Sequence, residues 1–231
     1  MKIHKFTYNP FEENTYVAEG ADKRCVIIDP GCYYPGEHET FFAFLEENAL
    51  IPEAILLTHC HFDHIGGVSA LCARYGIPVY ASSREQVVMD DRKLLQRLQI
   101  RLPDTSFTIS DVSEGTAVEA AGFRFEAIGT PGHTPGGLSW YEKEEGVVFT
   151  GDTLFAGAIG RSDFDYSDYD SEIKAIMEKL MALPGPTQVL PGHGGKTTIA
   201  RERSGNPFLE PFNEPEEDID ADNLEPIIIS R

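Results

Sequence analysis

Thr58-His59-Cys60-His61-Phe62-Asp63-His64 places three imidazoles and a carboxylate directly after the strand-like apolar run Ala54-Ile55-Leu56-Leu57. Imidazole nitrogen and carboxylate oxygen suit zinc, iron or manganese, and a catalytic site keeps one coordination position open for water. In a loop after a strand, His59 and His61 can face one metal while Asp63 and His64, past the bend, face a second about 3.5–4 Å away. A single ion needs fewer ligands than this run begins to supply. A His-rich surface loop is the plainer alternative, and the position after a strand speaks against it.

The remaining donors follow in order, each in a glycine-rich turn after a strand-like run. His133 lies in Thr130-Pro131-Gly132-His133-Thr134-Pro135-Gly136-Gly137, after Phe123 to Ile128. Asp152 lies in Thr150-Gly151-Asp152-Thr153, after Gly146 to Phe149, and His193 lies in Pro191-Gly192-His193-Gly194-Gly195, after Gln188 to Leu190. Glycine admits positive φ and close backbone approach, so a ligand flanked by glycines at a strand end is a workable device. Singly each turn is ordinary, since Gly-Asp is an everyday turn pair. Chance does not account for all of them following the first cluster in this order.

The pattern His-x-His-x-Asp-His, then a His, an Asp and a final His, resembles that of the metallo-β-lactamase superfamily over most of residues 1–209. The resemblance implies a four-layer αββα sandwich, an α/β (α+β) fold with two sheets and helices outside them. It implies that His59, His61 and His133 bind one metal, that Asp63, His64 and His193 bind a second, and that Asp152 bridges them. Asp29, in Val26-Ile27-Ile28-Asp29-Pro30-Gly31, matches the family's first motif and would support the site without ligating. The stretch from Gly151 to Phe164, with Gly160-Arg161-Ser162-Asp163-Phe164, is similar to the glyoxalase II group, as is the run from Thr197 to Leu209. Where that group has a Lys and a Tyr for glutathione, this chain offers Arg161 and Asp163, so Arg161 is a candidate substrate contact. The helical glutathione-gripping domain of the full-length enzymes is not expected here.

Composition fits an enzyme domain over residues 1–209, followed by an acidic C-terminal tail over 210–231. At 41% hydrophobic, 231 residues can bury a sizeable core. Of the net charge of −19, the tail contributes −7 from eight acids and one Arg. An acidic body with an acidic tail has no electrostatic footprint for nucleic acid. No segment approaches the roughly 18 apolar residues of a membrane span and none resembles a signal peptide, so cytoplasm is the expected location. Cys25, Cys32, Cys60 and Cys72 lack Cys-x-x-Cys spacing and read as reduced thiols. Alternation along an extended stretch turns Cys60 away from the side on which His59 and His61 meet the metal.

The hydropathy pattern predicts strands near residues 2–8, 14–19, 24–29, 53–57 and 77–80, with helices near 38–48 and 67–75. Later strands are predicted near 116–120, 123–128, 137–141, 146–150 and 187–190, with a helix from about Tyr169 to Met181 carrying a core stripe of Ile173, Ile176, Met177 and Leu180. Residues 83–101 read as a helical excursion bearing Arg84, Arg92, Lys93, Arg97 and Arg101. It can roof the cleft and attract an anionic substrate, or serve as a solvated helix or dimer contact. The tail has little apolar periodicity before Ile227-Ile228-Ile229, a segment suited to docking.

The expected function is a metal-dependent hydrolase that cleaves a small-molecule thioester of the acylglutathione kind. Two divalent ions, zinc first and iron or manganese next, would hold a bridging hydroxide oriented by Asp63. Thiolate leaves readily, with a reference pKa near 8.5, which favours a thioester over a β-lactam. The resemblance leaves three rivals: a mononuclear iron persulfide dioxygenase, a lactonase or related ester hydrolase, and a metal-binding module without catalysis. The chain is expected to act as a monomer or homodimer.

Overall fold

The strand Arg24–Ile28 divides its side chains between two cores, Val26 and Ile28 on one face and Cys25 and Ile27 on the other. That split follows from the period of two in a pleated strand buried on both faces. It recurs across the molecule, which in this computed structural model is described over residues 1–91, 93–212 and 228–229.

The first half contains β1 (Lys2–Tyr8), β2 (Glu13–Glu19), β3 (Arg24–Ile28), α1 (Pro35–Glu47), β4 (Ile51–Leu56) and α2 (Val68–Tyr75). Then come β5 (Val79–Ala81), α3 (Gln86–Asp90), α4 (Lys93–Leu98) and β6 (Ile109–Asp111). The second half contains β7 (Ala117–Ala120), β8 (Phe123–Gly129), β9 (Leu138–Glu142), β10 (Val147–Gly151) and the short pair β11 (Leu154–Phe155) and β12 (Ala158–Ile159). It closes with α5 (Tyr169–Ala175), β13 (Gln188–Pro191), β14 (Thr197–Thr198), α6 (Ile199–Gly205) and β15 (Ile228–Ile229). One sheet has the order β15-β1-β2-β3-β4-β5-β6 and the other β14-β13-β10-β9-β8-β7.

Three hydrophobic clusters separate four layers. Between the sheets, Val26, Ile28 and Leu56 meet Phe125, Trp140, Phe149 and Leu190. Outside the first sheet, Ile27, Ile55 and Leu57 meet Phe41, Leu45, Val68 and Leu71 of α1 and α2. Outside the second, Val148 and Val189 meet Ile176, Leu180 and Ile199. This is the αββα sandwich that the sequence pattern implies. Trp140 is fully buried in the central layer, and its indole N–H donates to the Leu57 carbonyl at 2.9 Å, joining the sheets. Truncating such a residue to Ala costs about 3–5 kcal/mol.

Some local expectations are corrected. The helix expected from Tyr169 to Met181 is α-helical only to Ala175 and continues as a π-helical turn over Ile176–Leu180, which keeps Ile176 and Leu180 in the core. The excursion over 83–101 is broken into short turns: a 3-10 turn at Ser83–Glu85, then α3 and α4, with extended backbone at Asp91 between the last two. A 3-10 turn covers Pro207–Phe212. Most of the tail lies outside the described residues, but Ile228 and Ile229 pair in parallel with His4 and Lys5 at the sheet edge.

Strand direction positions the site. β3 and β4 are parallel, β10 and β13 are parallel, and β8 runs with β10 because both are antiparallel to β9. Their C-terminal ends therefore open on one edge, where Asp29, the His59–His64 loop, His133, Asp152 and His193 follow them. Loops on a rigid scaffold are the usual carriers of function.

Candidate metal centre

Of the donors expected from the sequence, His59, His61 and His133 have nitrogens within 4.8 Å of one another, and so do Asp63, His64 and His193 in their ligand atoms. Asp152 lies between the two groups. Its Oδ1 is 3.4 Å from His64 Nε2, and its Oδ2 is 3.4 Å from His193 Nε2 and 3.7 Å from His133 Nε2. Asp63 Oδ2 is 3.5 Å from His193 Nε2.

Each imidazole is turned by a partner on its other nitrogen. Thr58 Oγ1 donates to Asp29 Oδ2 at 2.6 Å, so the same oxygen accepts from His59 Nδ1–H at 3.0 Å and leaves Nε2 to the centre. His64 Nδ1–H donates to Asp29 Oδ2 at 3.1 Å, His133 Nδ1–H to the Arg161 carbonyl at 2.7 Å, and His193 Nδ1–H to the Phe11 carbonyl at 2.9 Å. His61 is reversed. Its Nε2–H donates to the Tyr166 hydroxyl oxygen at 2.8 Å, leaving Nδ1 facing His133 Nε2 at 2.9 Å. Such partners fix tautomer and orientation in metal-binding histidines.

Asp29 also lies within reach of His59 and His64 as a third possible trio. Its oxygens are already engaged by the Thr58 N–H at 2.7 Å, the Thr58 hydroxyl and His64, so it positions ligands instead of joining them. Its backbone sits at φ 47°, a left-handed conformation that aspartate tolerates better than most residues.

The backbone around the centre is tight. A Cβ on Gly192 would lie 2.3 Å from Asp152 Oδ1 and 2.6 Å from His64 Cε1. Gly151 has φ +50° and packs against Thr58. Both glycines of the sequence turns are thus required by close approach. Asn9 donates its amide to the carbonyls of Gly31 and Asp63, at 3.1 and 3.0 Å, pinning the ligand loop. The buried Glu85 accepts from the Cys60 N–H at 2.8 Å and the Gly136 N–H at 2.7 Å, clamping the His59–His61 loop to the loop of His133.

Electrostatics divides the groups. Burial holds His59 and His133 below the ordinary histidine value and takes His61 down to about 3. Burial acts the same way on His64, but the carboxylates of Asp152 and Asp63 outweigh it and hold its proton well above the ordinary range. His193 is raised to about 10, because its contacts with Asp152 and Asp63 overcome burial. Burial would raise Asp152, yet the His64 cation holds it well below the usual carboxylate range.

The donor set fits cations. His59 Nε2, His64 Nε2 and Asp152 Oδ1 are buried with no hydrogen-bond partner. An orphaned buried polar atom is costly, and a cation would engage all three once His64 gives up its proton.

Cys60 is buried with Ile65 and Val68 in the core outside the first sheet, as its alternation implies, and burial raises its thiol far above the ordinary value. The Arg161 side chain is exposed, paired with Asp163 at 2.6 and 2.8 Å and stacked on the Phe164 ring, while its carbonyl orients His133. Lys93 of the excursion pairs with Asp165 at 2.7 Å. Sequence reasoning missed Tyr166, Glu85 and Asn9, isolated polar residues without a motif around them.

Comparison with known proteins shows the family and the fold. The sequence pattern of the Metallo-beta-lactamase superfamily matches residues 8–193. The chain is similar to "Hydroxyacylglutathione hydrolase GloC" of Haemophilus influenzae, 36% identical, with 90% of this chain and 98% of that one covered. The fold matches "Crystal structure of BLEG-1 B3 metallo-beta-lactamase" with TM-score 0.82 and 37% identity, covering 90% of this chain and 99% of that one. It matches "Crystal structure of TTHA1623 in a di-iron-bound form" with TM-score 0.79 and 35% identity, covering 89% and 99%. The chain belongs to the metallo-β-lactamase superfamily, and its fold and donor set are those of a metallohydrolase.

Proposed function

We propose that the protein hydrolyses a small-molecule thioester of the acylglutathione kind at a centre of two divalent cations. The observation that carries this reading is the pair of three-donor groups with Asp152 between them. His59, His61 and His133 would hold one ion, Asp63, His64 and His193 the other, and Asp152 would touch both. When bound, such ions lower the pKa of water toward about 7 and polarise a carbonyl oxygen. Zinc is the first choice, with iron or manganese accepted by the same donors. The relative titled as di-iron-bound supports two ions while favouring another metal.

The chain's own residues supply position and proton control. Asp63, buried beside His193 in the second group, would accept a proton from an attacking water and keep it oriented. Thr58, Asp29, Tyr166 and the carbonyls of Arg161 and Phe11 hold the imidazoles in the required tautomers. No serine or cysteine is needed as nucleophile, and Cys60 faces the core. A thiolate leaving group needs little help from an acid.

The relative named as a hydroxyacylglutathione hydrolase supports the thioester. The neighbour titled as a β-lactamase, of equal similarity, supports a second reading in which a β-lactam or lactone is the substrate. Among the described residues no helix is long and apolar enough to cross a membrane. All four cysteines are free thiols, which suits a reducing cytoplasm, where we place the reaction. The test is hydrolysis of S-lactoylglutathione beside a chromogenic cephalosporin, using wild type and His59→Ala with metal content measured. Metal-dependent thioester turnover lost in the variant is expected. Cephalosporin turnover alone would transfer the protein to the second reading.

A further inference from the structure

Beside the centre lies a narrow cleft, open to solvent at its mouth, that shares His61 and Tyr166 with it. One wall is the excursion, through Val88, Met89, Leu95, Leu102 and Pro103; the other is the ligand loop, through Cys60, Phe62 and Ile65. Val88, Leu95, Cys60 and Ile65 are buried, whereas Leu102 is 39% exposed at the surface. The cleft therefore runs from an apolar rim to a metal-binding histidine.

Its charge narrows what can enter. Among the described residues, the one charged side chain in the lining, apart from the imidazole of His61, is the carboxylate of Asp91. Lys93 nearby is paired with Asp165, and Arg161 with Asp163. Among the described residues of the lining, a carboxylate-bearing group would meet the like charge of Asp91 and no lysine or arginine, and burying an unpaired charge is costly. An uncharged hydrocarbon chain gains about a factor of three to four per buried methylene.

We propose that this cleft is the acyl subsite and that the protein takes thioesters of short to medium apolar acyl groups. The acyl chain lies between the excursion and the ligand loop, with its carbonyl directed to the centre, while the thiol carrier lies outside. The proposal rests on the thioester reading and adds to it the chemical class of the acyl group. It also gives the excursion a role by its apolar face.

Two measurements test it. The first is kcat/KM across acetyl, butanoyl, hexanoyl and succinyl thioesters of N-acetylcysteamine and of glutathione, for wild type and Leu102→Asp, with metal content determined for each. The expected result is a rise of at least tenfold from acetyl to hexanoyl, succinyl below butanoyl, and a hexanoyl-to-acetyl ratio at least fivefold smaller in Leu102→Asp. The second is the 13C-methyl spectrum of methionine-labelled protein titrated with 2-octanone, a neutral ketone with an alkyl chain. The Met89 methyl should shift, whereas Met177 and Met181, which pack in the core outside the second sheet, should not. Thioester turnover that is flat with chain length, with Met89 unmoved, overturns the subsite and leaves the thioester reading standing. A shifted Met89 with no thioester hydrolysed supports an apolar ligand in the cleft and removes the thioester reading.

Discussion

The two donor groups lie one carboxylate apart, yet they differ in charge. His59, His61 and His133 are imidazoles kept neutral by burial and turned by Thr58, Tyr166 and a backbone carbonyl. Asp63, His64 and His193 form a charged set, in which carboxylates hold protons on both imidazoles. The first group can take a cation without releasing protons, whereas the second must release them first. Metal binding competes with protons at the ligands, so the difference predicts a tighter, pH-insensitive first site and a weaker, pH-dependent second one.

The largest effect is expected at the shared member. Asp152→Ala should drop bound metal below one per chain and cut turnover by about 1000-fold, the scale of losing several kcal/mol of charge stabilisation. Metal analysis with steady-state rates checks this, and full retention of both would take Asp152 out of the centre. Next, His193→Ala should remove only the second ion and lower turnover about 100-fold, while His59→Ala should weaken the first. If each variant loses both ions together, the groups are one cooperative site.

The pH dependence sharpens the comparison further. His193 and His64 are raised, so their protons stay bound through neutral pH in the metal-free protein. Affinity of the second group should therefore fall as pH falls from 8 to 6, by about tenfold per pH unit for each proton displaced. The first group, with its histidines lowered, should stay nearly flat over that window. Chelator competition across pH reads both. The smallest effect is expected for Tyr166→Phe, which removes the acceptor of the His61 Nε2–H. It should weaken the first site about tenfold and spare the second; an equal loss at both would tie Tyr166 to the whole cleft.

The convergence of the expected donors has a local cause at Asp152 and His193, each of which follows a strand and a glycine, Gly151 and Gly192, that close approach requires. The layers were legible through the family resemblance; the split of Cys25 to Ile28 and Ile55 to Leu57 between two cores was not, because these runs are apolar at every position. The supporting contacts were not. Tyr166 is 105 residues from His61, and Glu85 is 51 from Gly136, so only the folded chain brings them together. Arg161 was singled out by the family resemblance; its guanidinium pairs with Asp163 two residues on, while its backbone carbonyl, which no sequence pattern marks, orients His133. The π-helical turn at Ile176–Leu180 preserves the same core stripe as an α-helix, so periodicity could not distinguish them.

The most direct test of a two-metal thioesterase is stepwise reconstitution of metal-free protein with zinc, following S-lactoylglutathione hydrolysis at each equivalent. The account predicts little turnover at one equivalent and a rise that saturates near two. Full activity at one equivalent, or one tightly held iron with oxygen uptake on glutathione persulfide and no thioester cleavage, would contradict it.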